Sequence, residues 1–156
     1  IYVEGIIEGV VERIGFRSTV IRKFDKSLAT IPNFQFAEKA VINNTETTNR
    51  RIDWIIGLEY KSTAEQLTKC RDQIEQHILS SEDFLVSKDT QLIVKLNEIS
   101  ASSIDIRVRC FTKTNQYMEW INVKDRLIIA IKAIVEKNGA SFAFPSQSIY
   151  VEKLEK

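Results

Sequence analysis

The apolar rhythm of this chain changes once, across the polar run Asn43-Asn44-Thr45-Glu46-Thr47-Thr48-Asn49. Before that run, apolar residues come in short alternating or paired groups, Ile6-Ile7, Val10-Val11, Val20-Ile21 and Leu28 to Ile31, with glycines at 5, 9 and 15 where bends or bulges belong. After it, strand-like alternation gives way to long stretches with helical spacing. A chain whose period switches at a cluster of turn formers cannot continue one sheet through that point, so the boundary falls there. We expect three parts: a β-domain over 1–46, an α+β domain over 47–145, and a separate C-terminal strand within 146–156.

The first part has too few residues for a sandwich and suits a small, strongly bent barrel. Asp25-Lys26 lies between two strand-like runs and reads as a hairpin turn, and Phe34 to Lys39 as one helical turn after Pro32. In the second part, Ile52, Trp54, Ile56, Leu58 and Tyr60 alternate with Asp53, Ile55, Gly57 and Glu59, giving a strand with one apolar and one mixed face. Ser62 and Thr63 offer N-caps, with Glu65 and Gln66 as capping-box partners, for a helix whose stripe is Leu67, Cys70, Ile74 and Ile78. Two strands follow, with Leu92, Val94 and Leu96 on one face of the first. Ile104, Ile106, Val108 and Cys110 share a face of the second, and Ser100-Ala101-Ser102-Ser103 turns between them. A second helix spans about Gln116 to Asn138, with Trp120, Val123, Leu127, Ile131 and Ile134 inward and Gly139 as its left-handed C-cap. Strand, helix, strand, strand, helix, strand is the ferredoxin-like order, the last strand coming after Gly139.

Beyond Pro145, Ser148-Ile149-Tyr150-Val151-Glu152 reads as one more strand, with Gln147, Ile149 and Val151 on one side and Ser148, Tyr150 and Glu152 on the other. A lone strand has unpaired amides and carbonyls on both edges. It either joins this domain's sheet or pairs with the same strand of other copies, closing a barrel by oligomerisation.

Composition narrows the functional classes. The 22 basic and 21 acidic side chains leave a net charge of +1, too little for a dedicated nucleic-acid binder, whose affinity comes largely from counterion release. No window approaches the ~20 apolar residues of a spanning helix, and residue 1 begins within strand-like sequence without a signal peptide's charged start. Cys70 and Cys110 sit inside apolar patterns and read as reduced core residues. His77, the only histidine, falls beside its helix's apolar stripe and reads as solvated; with two separated cysteines it leaves a zinc site without candidates. Glu82-Asp83 reads as a solvated loop pair, Trp54 and Trp120 as core anchors, and Arg17 and Arg22 as ion-pair or carbonyl-capping residues in preference to phosphate or lipid-headgroup contacts. No phosphate loop, nucleophile elbow or metal-binding helix pair occurs, so neither an enzyme nor a cofactor is expected.

Six stretches carry a resemblance. Gly9-Val10-Val11 through Ile14-Gly15, then Arg17-Ser18-Thr19-Val20-Ile21-Arg22, then Ile31-Pro32-Asn33 resemble the β-domain signature of the small-conductance mechanosensitive ion channel family. Ile56 to Tyr60 and Leu96 to Ile104 resemble that family's first α/β strand and central hairpin, and Phe142 to Pro145 the stretch before its C-terminal strand. The signature residues so marked are Arg17, Ser18, Thr19, Arg22, Pro32 and Asn33. Two departures stand out: Asp25-Lys26 replaces the family's Asp-Gly, putting a lysine where φ is positive, and Phe34 follows Asn33 where a small residue is usual.

The resemblance implies an Sm-like β-barrel, a ferredoxin-like domain and C-terminal strands joined in an intersubunit axial barrel lined from Gln147, Ser148, Ile149, Tyr150 and Val151. It implies a homo-oligomer, a heptamer, forming a hollow cage on the cytoplasmic side of the inner membrane. Ions and small solutes would pass its portals, with membrane contact made only through N-terminal helices absent from this chain. Lys95, Arg107 and Arg109 are candidates for charge on that vestibule, since the arginines alternate outward from Ile106 and Val108. Two other readings compete: an Sm-like ring that binds RNA, and a ferredoxin-like regulatory domain that binds a small ligand.

Overall fold

A computed structural model describes residues 1–144, in two compact bodies, Ile1–Thr48 and a second that starts at Asn49. The expectations for Gln147, Ser148, Ile149, Tyr150 and Val151 lie outside the described residues.

The first body is mostly β. Strands β1 (Tyr2–Val3), β2 (Ile7–Glu8), β3 (Val10–Ile14), β4 (Ser18–Arg22) and β5 (Leu28–Pro32) precede the single helical turn α1 (Phe34–Ala37) and β6 (Val41–Ile42). All pairings are antiparallel, in two three-stranded sheets ordered β2-β1-β6 and β3-β4-β5. The closed barrel expected from the sequence is therefore corrected: the strands form two sheets, neither of which closes. The physical reason is strand length, because the two-residue strands β1, β2 and β6 offer too few ladder bonds to seal a cylinder. The core is correspondingly small, with Val3, Ile7 and Ile21 buried and Val11, Ala29, Ile31 and Phe36 packed against them.

The β4–β5 connection is a three-residue hairpin loop. The Lys26 amide donates to the Lys23 carbonyl at 3.0 Å, the Lys23 amide donates to the Ser27 carbonyl at 3.0 Å, and Lys26 sits at φ 70°. That geometry, a turn closed by one left-handed residue, favours glycine; a lysine there costs roughly 1–2 kcal/mol. Asp25 compensates by accepting from both the Ser27 amide (2.9 Å) and the Ser27 hydroxyl (2.5 Å).

In the second body, β7 (Arg51–Leu58), α2 (Ala64–Ser80), β8 (Phe84–Leu85), β9 (Ile93–Ile99), β10 (Ile104–Thr112) and α3 (Tyr117–Lys137) follow in order. Strand β10 is central: β7 pairs along one edge, β9 and then β8 along the other, all antiparallel. Both helices contribute to one core with the sheet, Leu67, Cys70, Ile74 and Ile78 from α2 and Val123, Leu127, Ile131 and Val135 from α3. The α2 stripe matches its helical period in full, and Thr63 with Gln66 makes the reciprocal capping box. Helix α3 ends where Gly139 takes φ +67° and Ala140 donates back to Val135, satisfying terminal carbonyls. The segment after Gly139 contributes less than a full strand: a bridge between Leu58 and Phe142, flanked by bonds from the Glu59 and Ala143 amides to the Ser141 and Gly57 carbonyls.

Gly57 has a packing role. A Cβ there would lie 3.0 Å from Ser103 Cβ and 3.3 Å from Asp105 Oδ1. Those atoms form a buried cluster in which the Ser100 and Ser103 hydroxyls each donate to Asp105 at 2.6 Å, so the acid is satisfied although only 5% exposed.

Two substitutions test these readings. Lys26→Gly is expected to raise stability by about 0.5–1 kcal/mol, the left-handed cost less the added entropy of unfolded glycine, seen as a higher urea midpoint at unchanged slope. Gly57→Val should lower it by about 1–3 kcal/mol through overpacking. Equal stability of Gly57→Val and the parent would sink the packing argument.

Candidate functional site

The signature residues of the first body converge on one side chain. Asn33 Nδ2 donates to the Gly15 carbonyl at 2.9 Å and the Phe16 carbonyl at 3.3 Å, while its Oδ1 accepts from the Thr19 hydroxyl at 2.9 Å. Its backbone amide donates to the Arg17 carbonyl at 2.9 Å, and Pro32 pairs with Ser18 in the β4–β5 ladder. Thr19 is buried; Arg17 is exposed. Asn33 thus clasps the β3–β4 turn to the end of β5, using all its polar groups on backbone and hydroxyl partners. Arg22, at the far end of β4, forms a bidentate pair with Glu12 (2.7 and 3.2 Å) and caps the Lys26 carbonyl at 3.0 Å. The Arg22 hydrogen bond lowers the Glu12 pKa.

Arg107 and Arg109 of the second body meet Asp53 on the sheet face opposite the helices. Asp53 on β7 accepts two bonds from Arg107 (3.0 Å each) and one from Arg109 (3.0 Å), both on β10. These hydrogen bonds, Arg107's foremost, hold the Asp53 carboxyl down at about 2. Two guanidiniums around one carboxylate leave one positive charge there. Lys95, across from Arg107 on β9, reaches Glu75 of α2 at 3.4 Å. The basic face read from the sequence is therefore largely neutralised by acids that the alternation pattern did not flag. Asp53 lies directly opposite Arg109 only once β7 and β10 are paired.

Two further clusters involve α3. Asp83, read from the sequence as a solvated loop residue, instead receives a bidentate pair from Arg126 (2.9 and 2.8 Å) beside buried Phe84. Trp54 and Trp120 do pack on the core, with Arg50 5.7 Å and the Lys124 ammonium 4.4 Å from the Trp120 ring centre. Both cysteines are buried, and burial pushes the Cys110 thiol up to about 12, so neither is primed as a nucleophile. His77 is exposed. Among the described residues no group of His, Cys, Asp and Glu is arranged to hold a metal ion, and no helix is long and apolar enough to cross a membrane. What these clusters do is fix hairpins and strand pairs in place.

Both bodies match models of one family. Residues 3–46 match the mechanosensitive ion channel β-domain, and residues 52–142 match the C-terminal region of the mechanosensitive ion channel MscS. The chain belongs to the MscS family of mechanosensitive ion channels, which is not an enzyme class. An MscS family protein of Aquifex aeolicus is 42% identical over 95% of this chain and 40% of its own length. The low conductance mechanosensitive channel YnaI of Escherichia coli is 36% identical over 95% of this chain and 42% of its own length. The chain thus spans less than half of these relatives. Among solved structures, Helicobacter pylori MscS in its closed state is similar with a TM-score of 0.77 and 28% identity, covering 97% of this chain and 58% of that one. Arabidopsis thaliana MSL1, at 19% identity and a TM-score of 0.82, covers 90% of this chain and 50% of that one and shares the fold.

Because Asp53 titrates below an unfolded aspartate's usual value near 3.9, its contribution to stability is complete above about pH 4 and is lost as pH falls toward 2. Asp53→Asn should be less stable than the parent at pH 7 and lose less further stability between pH 4 and 2, measured by urea unfolding. Parallel pH curves for the two proteins would refute this. Asn33→Ala should cost about 1–3 kcal/mol, because Thr19 loses its acceptor and the turn carbonyls their donor.

Proposed function

We propose that this chain is the extramembrane portion of a mechanosensitive channel that passes ions and small osmolytes when the membrane is stretched. The observation that carries this reading is that the two bodies follow one another in a single chain over both family segments, 3–46 and 52–142. In this reading several copies, a heptamer, surround a shared axis on the cytoplasmic side of the inner membrane and enclose a chamber. Gaps between copies pass ions and small solutes and hold back macromolecules, so the chamber is a sieve in series with the pore.

Surface composition supports assembly. Large apolar side chains stand exposed on both bodies, including Ile14, Phe34, Ile99, Met118 and Ile129. Such side chains offer contact area that assembly with further copies would cover. We read the second body as ferredoxin-like, because the neighbours across its sheet run from segment 141–143 through β7 and β10 to β9. The tail from Gln147 to Val151 is assigned to the axial barrel on its alternation alone. The positive charge remaining at Arg107 and Arg109, with Lys95, is assigned to a solute-facing surface. The competing RNA-ring reading is disfavoured by the net charge of +1, and neither it nor the small-ligand reading is favoured by the family.

The test is made on the full-length protein that contains this chain. Native mass measurement in detergent should give seven copies, and excised membrane patches should show tension-gated current. A monomeric or dimeric mass would overturn the cage, and silent patches holding correctly assembled protein would overturn the channel. Truncation after Phe144 should lower the temperature at which the oligomer dissociates, if the tail strands bind one another.

A further inference from the structure

We propose that the β3–β4 hairpin end, Arg13 to Arg17, docks on an anionic lipid surface, Phe16 entering the headgroup layer while Arg13 and Arg17 meet lipid phosphates. The inference rests on the channel reading only in that the protein then lies beside a membrane. Phe16, in the turn itself, is 97% exposed, and Ile14, the last residue of β3 beside that turn, is 76% exposed. Bulky apolar residues at a tip bracketed by arginines match the composition of interfacial membrane anchors, whose cations stay at the phosphate level while the ring goes deeper.

Charge decides the occupant. Arg13 and Arg17 are exposed and have no ion-pair partner among the described residues, whereas the one adjacent acid, Glu12, is committed to Arg22. The tip therefore presents two uncompensated positive charges, which would repel the same tip of a second copy and attract an anionic leaflet. The opposite end of the same sheet is a natural contrast. Phe24 there is 68% exposed, but Lys23 is paired with Asp25 at 3.1 Å, so that hairpin brings an acid beside Lys26 and carries one net positive charge against two at the β3–β4 end.

Backbone chemistry also permits the insertion. A turn entering the headgroup layer loses water from its carbonyls, and each unsatisfied one is costly. Here the Gly15 and Phe16 carbonyls accept from Asn33 Nδ2 (2.9 and 3.3 Å) and the Arg17 carbonyl accepts from the Asn33 amide (2.9 Å). The Gly15 amide donates to Ser18 at 2.8 Å, closing the loop on itself. The carbonyls of the tip are thus partnered before it meets any lipid. Phe34, next to Asn33 at the same end of the sheet, is also exposed and extends the apolar contact.

The native cysteines are buried, so a single introduced cysteine can be labelled selectively. We would label Phe16→Cys and, separately, Phe24→Cys with an environment-sensitive fluorophore in the 156-residue chain. Each would be held by a terminal histidine tag on vesicles of phosphatidylcholine, with or without one-third phosphatidylglycerol. The expected result is a blue shift at position 16 on the anionic vesicles, a weaker one on phosphatidylcholine alone, and little at position 24. Arg13→Gln and Arg17→Gln should each lower the inserted-to-free ratio roughly fivefold, and high salt should act likewise. Equal shifts at positions 16 and 24, no shift at position 16, or a shift that appears without vesicles and grows with protein concentration would overturn the proposal. The last outcome would mark the tip as a contact between copies. None of these outcomes bears on the mass and current measurements, which test the channel reading separately.

Discussion

The first body depends on a single carboxamide. Asn33 occupies the point where β5 ends, and its donor, acceptor and backbone amide all reach back across β4 to the turn that begins that strand. With a hydrophobic core built on three fully inward residues, Val3, Ile7 and Ile21, packing alone fixes little. Register errors between short strands cost few contacts unless something polar and directional forbids them. Thr19 supplies the complementary constraint, because its buried hydroxyl needs an acceptor and Asn33 Oδ1 is the one it has. A shift of β5 by one residue would orphan that hydroxyl and the turn carbonyls together.

The second body solves the same problem with a different mixture. Its core is large enough to specify the helix-on-sheet arrangement, since both helices and the central strand bury continuous apolar stripes. What apolar packing leaves open is the pairing of the sheet's other face, and ionic and polar contacts sit there. Asp53 ties β7 to β10 through both arginines, and Asp105 ties the β9–β10 hairpin through Ser100 and Ser103. The β9–β10 register shifts beside Asp105, which aims the acid at those two hydroxyls, and Gly57 keeps the space clear. Polar residues here choose among pairings that hydrophobicity alone would rank as equal.

These two mechanisms account for what could be read from the chain. The α2 stripe, its capping box and the Gly139 cap follow from helical period and local chemistry, each set by residues within a few positions of one another. The positive φ of Lys26 was legible through the family resemblance, since the family carries Asp-Gly where this chain has Asp25-Lys26. Barrel closure was not legible, because it depends on ladder length between strands distant in sequence. The short strand β8 and the Asp83–Arg126 pair escaped for the same reason, Phe84 meeting Thr112 and Asp83 meeting α3 only after the fold forms. For the candidate charges, alternation put Arg107 and Arg109 on one face correctly. It could not reveal that Asp53 would share that face, since alternation within one strand is silent about its neighbour's register.

The signature stretch then has a physical meaning of its own. Ser18, Thr19, Pro32 and Asn33 are bound up with one another, so these residues of the signature act together as a clasp. Arg22 belongs to the clasp's far end through Glu12 and the Lys26 carbonyl, whereas Arg17 lends only its carbonyl and keeps its side chain free. Clasping by backbone and short polar groups leaves the bulky residues of the same turn unused by the fold. Phe16 and Ile14 stand exposed on that hairpin while Asn33 and Ser18 hold its turn. Their exposure on a hairpin held by other groups is what the proposed membrane contact draws on.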